Sequence, residues 1–328
     1  MFQTMKERLS SFARRTSLRQ LRALGAVVAT GTISAAAERL GLTPPAIGQQ
    51  LRLLEAAFGD MPLVERIGAV QRPTEAGREA LAALERIEAA LQDCADAIEA
   101  LQGTARGRIA VGVIGTAKYF APFALAAFNR AQPGLELRIY VGNREEIVAG
   151  LGSLDMDLAI MGRPPDDMPI ERTVIGDHPH VIIAAPNHPL AQQAGPDLAP
   201  PDLAPLDLAQ VARETFLLRE PGSGTRDLMR RVFADAGLPL PSGVEIGSNE
   251  TIKQAVMAGM GIALLSAHTI AAELRDGRLA ILPVAGLPIT RQWFVVRHRD
   301  KRLLPAAQAL WHFLEQRGAT FLPEKHDT

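Results

Sequence analysis

From Arg108 onward the chain alternates short apolar runs, rich in β-branched residues, with longer stretches of helical spacing: "RIAVGVIG", "YFAPFALAAFNRAQPG", "LELRIYVG", "NREEIVAGLGS" and "MDLAIMG". Two parallel strands can be joined only by a crossover of a dozen or so residues, usually a helix. The order therefore predicts a β-α-β-α-β unit with a parallel sheet. A second unit follows, with strands near "ERTVIG" and "HVIIAAP", then "TFLLRE", the helix "GSGTRDLMRRVFADAG", "GVEIGS", the helix "NETIKQAVMAGM" and "GIALLSA". The chain then reads "GRLAILPV", a strand "TRQWFVVRH" and a last helix through "AAQALWHFLEQR". Residues 108–318 are thus expected to form a two-lobed α/β body of two Rossmann-like subdomains, with lobe I at 108–162 and 287–318 and lobe II at 170–285. The proline-rich "PDLAPPDLAPLDLA" at 196–209 reads as a surface spacer.

Ligands of such sheets bind at the carboxyl ends of strands, between lobes. Thr116, Lys118 and Tyr119 follow the first strand, Asn143 and Arg144 the second, and Arg163 the third. Ser223, Thr225 and Arg226 open one helix of the other lobe, and Asn249 opens another. Hydroxyls at helix starts facing Lys118, Arg144, Arg163 and Arg226 suit an anionic, phosphorylated ligand. The same residues also read singly as helix caps and surface charges. "GSGTR" lacks the Gly-Lys-Ser/Thr ending of a Walker loop. The sequence has no Cys–His pair, metal-ligand spacing or nucleophile elbow, and His178, His180 and His188 cluster around prolines as loop residues. The expectation is a binding protein, not an enzyme, without catalytic residues, metal ligands or a bound cofactor.

The first quarter has a different build. Ser17 can cap a helix through "LRQLRALGAVVAT", with Leu18, Leu21, Leu24, Val27 and Val28 on one stripe and Gly31 at its end. A second short helix after Ser34, "SAAAERL", stops at Gly41. Thr43 then stands as the N-cap of a third, with Pro44 and Pro45 in its first turn, where a missing N–H breaks no intrahelical bond. Ile47, Leu51, Leu54 and Phe58 form the stripe to bury, leaving Gln49, Gln50 and Arg52 off it. Helix, glycine turn, helix is a helix-turn-helix pattern, in which the start of the second helix meets base edges in the major groove. Glutamine pairs with adenine, and arginine takes a phosphate or guanine. "MPLVERIGAVQRPT" reads as a hairpin wing offering Arg66 and Arg72 to phosphates. An ordinary helical subdomain with solvated glutamines has the same spacing. Charge favours the nucleic-acid reading: residues 1–73 hold ten Lys/Arg against five acids, a net of +5 in a chain of net −1.

Between the two, Thr74 caps a stretch without helix breakers from Arg78 to Gln102. Leu84, Ile87, Leu91, Cys94, Ile98 and Leu101 make a 3-4-3-4-3 seam, expected to pair with a second helix, although a helix laid on its own domain is the other reading. "GTARGR" then reads as a hinge. The single cysteine excludes an internal disulfide framework. No run reaches the ~18 apolar residues of a membrane span, and "MFQTMKERLSSFARRTS" lacks the apolar core of a signal peptide. A cytoplasmic protein is expected.

Taken together, "SLRQLRAL", "GTISAAAERLGLTPPAIGQQLRLLE", "PLVER", "RPTEAG", "GRIAVGV" and "AVMAGMGIALLS" resemble the LysR-type transcriptional regulators, from about Ser17 to Gly318. Within that family, "TAKYFAP", "VGNREE", "DLAIMGRPP" and "LREPGSGTR" are most similar to regulators of carbon-fixation (RuBisCO, Calvin cycle) operons. The resemblance implies a winged helix-turn-helix at 17–74, a dimerising linker helix at 75–103 and a periplasmic-binding-protein-like effector domain at 108–318, between an extension at 1–16 and a tail at 319–328. It implies double-stranded DNA as partner, homodimers assembling into homotetramers, and an activator of a carbon-fixation operon. Its effector would be a sugar phosphate such as ribulose bisphosphate, phosphoenolpyruvate, or a nucleotide such as ATP or NADPH. A LysR-type regulator of another metabolic operon, or a solute receptor without a DNA role, remain the alternatives. The pattern departs from the family at Pro44, Gly48, Gln49 and Val64, within or beside the reading helix.

Overall fold

The computed structural model describes residues 15–101, 107–194 and 205–323. The extension before Arg15, most of the "GTARGR" hinge, most of the proline-rich spacer and the last five residues lie outside the described residues. The chain divides into two compact units, Met1–Ala95 and Asp96–Thr328.

In the first unit, α1 (Leu18–Thr30), α2 (Ile33–Leu40) and α3 (Pro44–Ala57) precede a hairpin of β1 (Val64–Ile67) and β2 (Val70–Pro73), followed by the long α4 (Glu75–Leu101). A capping box starts α1: the Ser17 hydroxyl accepts from the Gln20 N–H, and the Gln20 side chain accepts from the Ser17 N–H. Gly31 and Gly41 end α1 and α2 in the left-handed conformation. The second helix is capped by Thr32, whose hydroxyl accepts from the Ala35 N–H, and not by Ser34. Thr43 has the extended backbone of an N-cap, but its side chain makes no cap hydrogen bond.

Leu21, Leu24 and Val27 of α1, Ala36 and Ala37 of α2, and Ile47, Leu51 and Leu54 of α3 bury together with Leu63, Ala80 and Leu84. Thr74 closes this core: its hydroxyl donates to the Pro62 carbonyl and accepts from the Gly77 N–H. A Cβ on Gly77 would stand 1.9 Å from the Leu63 carbonyl oxygen, so only glycine fits that crossing. Leu84 is buried in this unit's own core, so it is not free to serve the predicted helix–helix seam. From Ile87 onward the seam faces solvent: Ile87, Leu91, Cys94 and Ile98 are exposed, and the Leu101 side chain lies outside the described residues.

In the second unit β3 (Arg108–Ile114) pairs in parallel with β4 (Glu136–Gly142) and β5 (Leu158–Met161). Helices α5 (Ala121–Ala131) and α6 (Arg144–Gly152) make the crossovers, as the alternation predicts. Two long strands join the lobes: β6 (Ile170–Ala184) and β11 (Ile289–His298) pair antiparallel along ten positions of β11. β11 also pairs with β5, and β6 continues to pair with β9 (Ala263–Ser266) and β10 (Ala280–Leu282). One seven-stranded mixed sheet therefore runs through both lobes. The two strands expected near 171–176 and 180–186 are one strand. Pro179 stands where β6 begins to gain β9 as a neighbour, at His180, a boundary where a missing N–H is tolerated.

Lobe II adds α7 (Pro189–Ala194), α8 (Leu208–Val211), the parallel pair β7 (Phe216–Leu218) and β8 (Gly243–Glu245), α9 (Gly224–Asp235), α10 (Asn249–Met257) and α11 (Ala271–Arg275). The last helix, α12 (Pro305–Arg317), returns to lobe I. There Leu310, Trp311 and Leu314 bury with Trp293, Phe120 and Ile109.

Candidate functional site

In the first unit the apolar stripe of α3 turns inward and its other face turns out. Thr43, Pro44, Pro45, Gln49 and Arg52 are exposed, and Gln50 is half-buried. Arg66 and Arg72 are exposed on the hairpin, where the Arg66 Nε donates to the Gly68 carbonyl at 3.0 Å across the turn. A Cβ on Gly48 would meet only the Arg52 guanidinium, at an ordinary 3.5 Å, so nothing inside this unit requires glycine there. This is a glutamine- and arginine-bearing helix start beside a basic hairpin.

In the second unit a cavity of about 30 Å³ lies between the lobes. Thr116 at the end of β3, Arg144 at the start of α6 and Arg163 after β5 reach it from one side, and Ser223 and Thr225 at the start of α9 from the other. Asn143 also lines it, while capping α6: its side chain accepts from the Glu146 N–H, and Glu146 accepts from the Asn143 N–H. The Arg144 Nε is steered by the Arg163 carbonyl at 3.0 Å. Next to the cavity lies an open groove of about 360 Å³, lined by Lys118, Glu146, Glu220, Ser248 and Asn249. Gly115, Asn143 and Arg219 border both.

Two expected ligand residues stand elsewhere. Arg226 donates to the Arg219 carbonyl and to Glu245, both at 2.6 Å, and does not line the cavity. The Tyr119 hydroxyl donates to Glu250 in a short hydrogen bond, and burial followed by that bond pushes its pKa well up. Asn249 belongs to the groove wall, where it accepts a short hydrogen bond from the buried Arg219.

Four polar or charged side chains of the cavity were not among the expected ones: His178, His180, Arg219 and Arg291. The histidines are not loop residues. Both are buried in β6, with the His178 ring stacked on Trp293 at 3.7 Å and 4.2 Å from the His180 ring. Burial, then the neighbouring His180, His268 and Arg291 charges, hold the His178 pKa far below the usual histidine value. Burial and Arg291 lower that of His180 to about 3. Both imidazoles are therefore neutral at pH 7. Both ring nitrogens of His178 are buried without a hydrogen-bond partner. Arg219 ends β7 and follows the same strand-end rule that found Arg144 and Arg163. Arg291 lies inside β11 and carries no such signal. Its pKa falls to about 10 through burial and then the charges of Arg231, Arg163 and Arg144. Four guanidinium groups line the cavity without a carboxylate among its lining residues, although Glu220 pairs with Arg219 and Asp166 lies 3.8 Å from Arg163, so the site holds an excess of positive charge.

A winged helix-turn-helix, a long helix and an α/β body with a cationic inter-lobe cavity together make the build of a ligand-responsive DNA-binding regulator. Comparison with known families agrees. Residues 102–319 match the LysR substrate binding domain, and residues 18–78 match the bacterial regulatory helix-turn-helix protein, lysR family. The HTH-type transcriptional regulator CbbR of Xanthobacter flavus is 54% identical over 309 residues, covering 94% of this chain and 90% of that protein. The RuBisCO operon transcriptional regulator of Allochromatium vinosum is 41% identical over 303 residues, covering 92% of this chain and 97% of that one. Among solved structures, the Synechocystis PCC6803 CcmR regulatory domain in complex with 2-PG is 35% identical with a TM-score of 0.58, covering 64% of this chain and 96% of that chain. The chain belongs to the LysR family of transcriptional regulators.

Proposed function

We propose that this chain activates transcription of a carbon-fixation (RuBisCO) operon, binding double-stranded DNA through α3 and the hairpin and responding to a small phosphorylated anion between the lobes. The observation that carries the reading is the 54% identity to a CbbR regulator across 94% of the chain. The exposed Gln49 and Arg52, beside Arg66 and Arg72, supply the chemistry for base edges and phosphates. The arginine-lined cavity at the start of α9 supplies that for the anion. The anion is an effector, not a cofactor, and the protein catalyses no reaction. It works in the cytoplasm, as its DNA target requires. No helix among the described residues is long and apolar enough to cross a membrane. Ile87, Leu91, Cys94 and Ile98 of α4 form the seam of a homodimer. Two dimers make the tetramer, whose DNA contacts shift when the effector favours one assembly state.

The test is binding of the full-length protein to the DNA upstream of RuBisCO genes, titrated with salt and with phosphorylated metabolites. Affinity should fall steeply with salt, with a log–log slope near −0.9 for each phosphate contacted. Gln49→Ala and Gln50→Ala should weaken the specific site more than random DNA. Salt-independent binding, or equal losses on both DNAs, would contradict the proposal.

A further inference from the structure

Tyr119 reads from the sequence as a ligand residue, and the structure makes it a bridge between the lobes. It stands in the turn Ala117–Tyr119 after β3. Ala117 and Phe120, on either side, are buried in the lobe I core, where the Phe120 ring meets Trp293 edge-on at 4.9 Å. The turn therefore cannot swing without disturbing that core. Across the gap, Glu250 lies in the first turn of α10, whose Ile252 and Val256 are buried in a core of lobe II. The Tyr119 hydroxyl donates to the Glu250 carboxylate, so one hydrogen bond joins two well-packed elements, one from each lobe.

The ring makes a second attachment. The Lys253 ammonium lies 4.8 Å from the Tyr119 ring centroid. Lys253 is 3% exposed and fixed from lobe II, donating to the Thr269 carbonyl at 3.0 Å and pairing with Glu273 at 2.9 Å and Glu250 at 3.1 Å. Desolvation strengthens a cation–π contact of this kind. A hydrogen bond to a carboxylate is roughly twice as strong as one between neutral groups. By contrast, the 3.7 Å contact of Lys118 with Glu250 joins side chains 34% and 47% exposed and adds little. The lobes also approach closely at Gly222 of lobe II, where a Cβ would stand 2.6 Å from the Glu145 Oε2 of lobe I.

We infer that Tyr119 is a clasp: its hydroxyl and ring hold lobe I against α10 of lobe II, keep the inter-lobe cavity shut, and must release for the body to open. Thr116 and Thr225, one from each lobe, line that cavity at 5% and 6% exposure, so the joined lobes shield it. Opening would bend the body about β6 and β11, the long strands that join the lobes.

The test is thiol labelling of the full-length protein. Its single cysteine, Cys94, is exposed, so Cys94→Ala gives a thiol-free background. There Thr225→Cys places a reporter in the cavity, and Ala124→Cys places one in the lobe I core, where only unfolding uncovers it. Rates of reaction with N-ethylmaleimide are followed by mass spectrometry. Tyr119→Phe keeps the ring and removes the donor. It should speed labelling at Thr225→Cys ten-fold or more and leave Ala124→Cys unchanged. Glu250→Ala should also speed the cavity reporter, and adding Tyr119→Phe to it should change nothing further, because the bond is already gone. An unchanged rate at Thr225→Cys, equal acceleration at both reporters, or effects of the two substitutions that multiply would overturn the clasp. Should Tyr119→Phe or Thr225→Cys fail to fold, Glu250→Ala and Thr116→Cys carry the same comparison from the opposite lobe. Neither DNA nor effector enters the assay, so its outcome is separate from that of the proposed function.

Discussion

Acid should destabilise the α/β body as the pH falls from 7 to 5, because two histidines are buried there as neutral rings. In the unfolded chain each has a pKa near 6.5. In the folded chain that of His180 falls to about 3, and that of His178 is also far down, with burial the largest cause in both. The unfolded state therefore binds more protons below about pH 6.5, and stability must fall as pH falls. Each unit costs about 1.4 kcal/mol per histidine. At pH 5.0 the loss is roughly 2 kcal/mol for His180, and His178 adds to it in the same direction, a sizeable share of an ordinary domain's 5–15 kcal/mol. The loss continues toward pH 3 for His180 and is absent above about pH 7. The assay is urea unfolding followed by tryptophan fluorescence at pH 7.5, 6.0 and 5.0. Both tryptophans, Trp293 and Trp311, sit in the lobe I core, so the signal reports the body and not the helix-turn-helix. Glu250, whose pKa is lowered, does not interfere in this range. His180→Gln should remove roughly 2 kcal/mol of the loss between pH 7.5 and 5.0. A wild-type body that loses less than about 1 kcal/mol between pH 7.5 and 5.0 would refute the neutral buried pair.

Gly162→Ala places a Cβ 2.5 Å from the His178 Nδ1, so the ring must move; titration of phosphorylated probes should show at least a ten-fold loss of affinity with operator binding preserved. Gly48→Ala meets no clash and should stabilise α3 by roughly 0.5–1 kcal/mol in thermal denaturation. If the glycine serves close approach of the backbone to DNA, the same variant binds its operator less tightly. Lys253→Met removes a buried ammonium that holds Glu273 at 2.9 Å and Glu250 at 3.1 Å. Leaving Glu273 buried without it should cost about 3–5 kcal/mol in urea unfolding of the body.

The helix-turn-helix was legible because its signals are local. Ser17, Gly31, Gly41 and the proline pair mark helix ends within a few residues of the turns they make. The stripe of Ile47, Leu51 and Leu54 leaves Gln49 and Arg52 outside whatever they pack against. The one departure there was also local: the second helix starts at Ile33, capped by Thr32, and not after Ser34. Heptad spacing in α4 announced an apolar seam but not its partner, and Leu84 went to its own unit's core.

Periodicity and chain breakers by themselves therefore determined the order of helices and strands, the parallel β3–β4–β5 core and the outward face of α3, since each follows from contacts between residues close along the chain. Tertiary structure alone decided the ligand site. Pro179 reads locally as a break, yet long-range pairing with β11 carries β6 through it and turns His178 and His180 into the cavity. Arg291 joins them from more than a hundred residues away, and no local spacing encodes a meeting that depends on which strands pair.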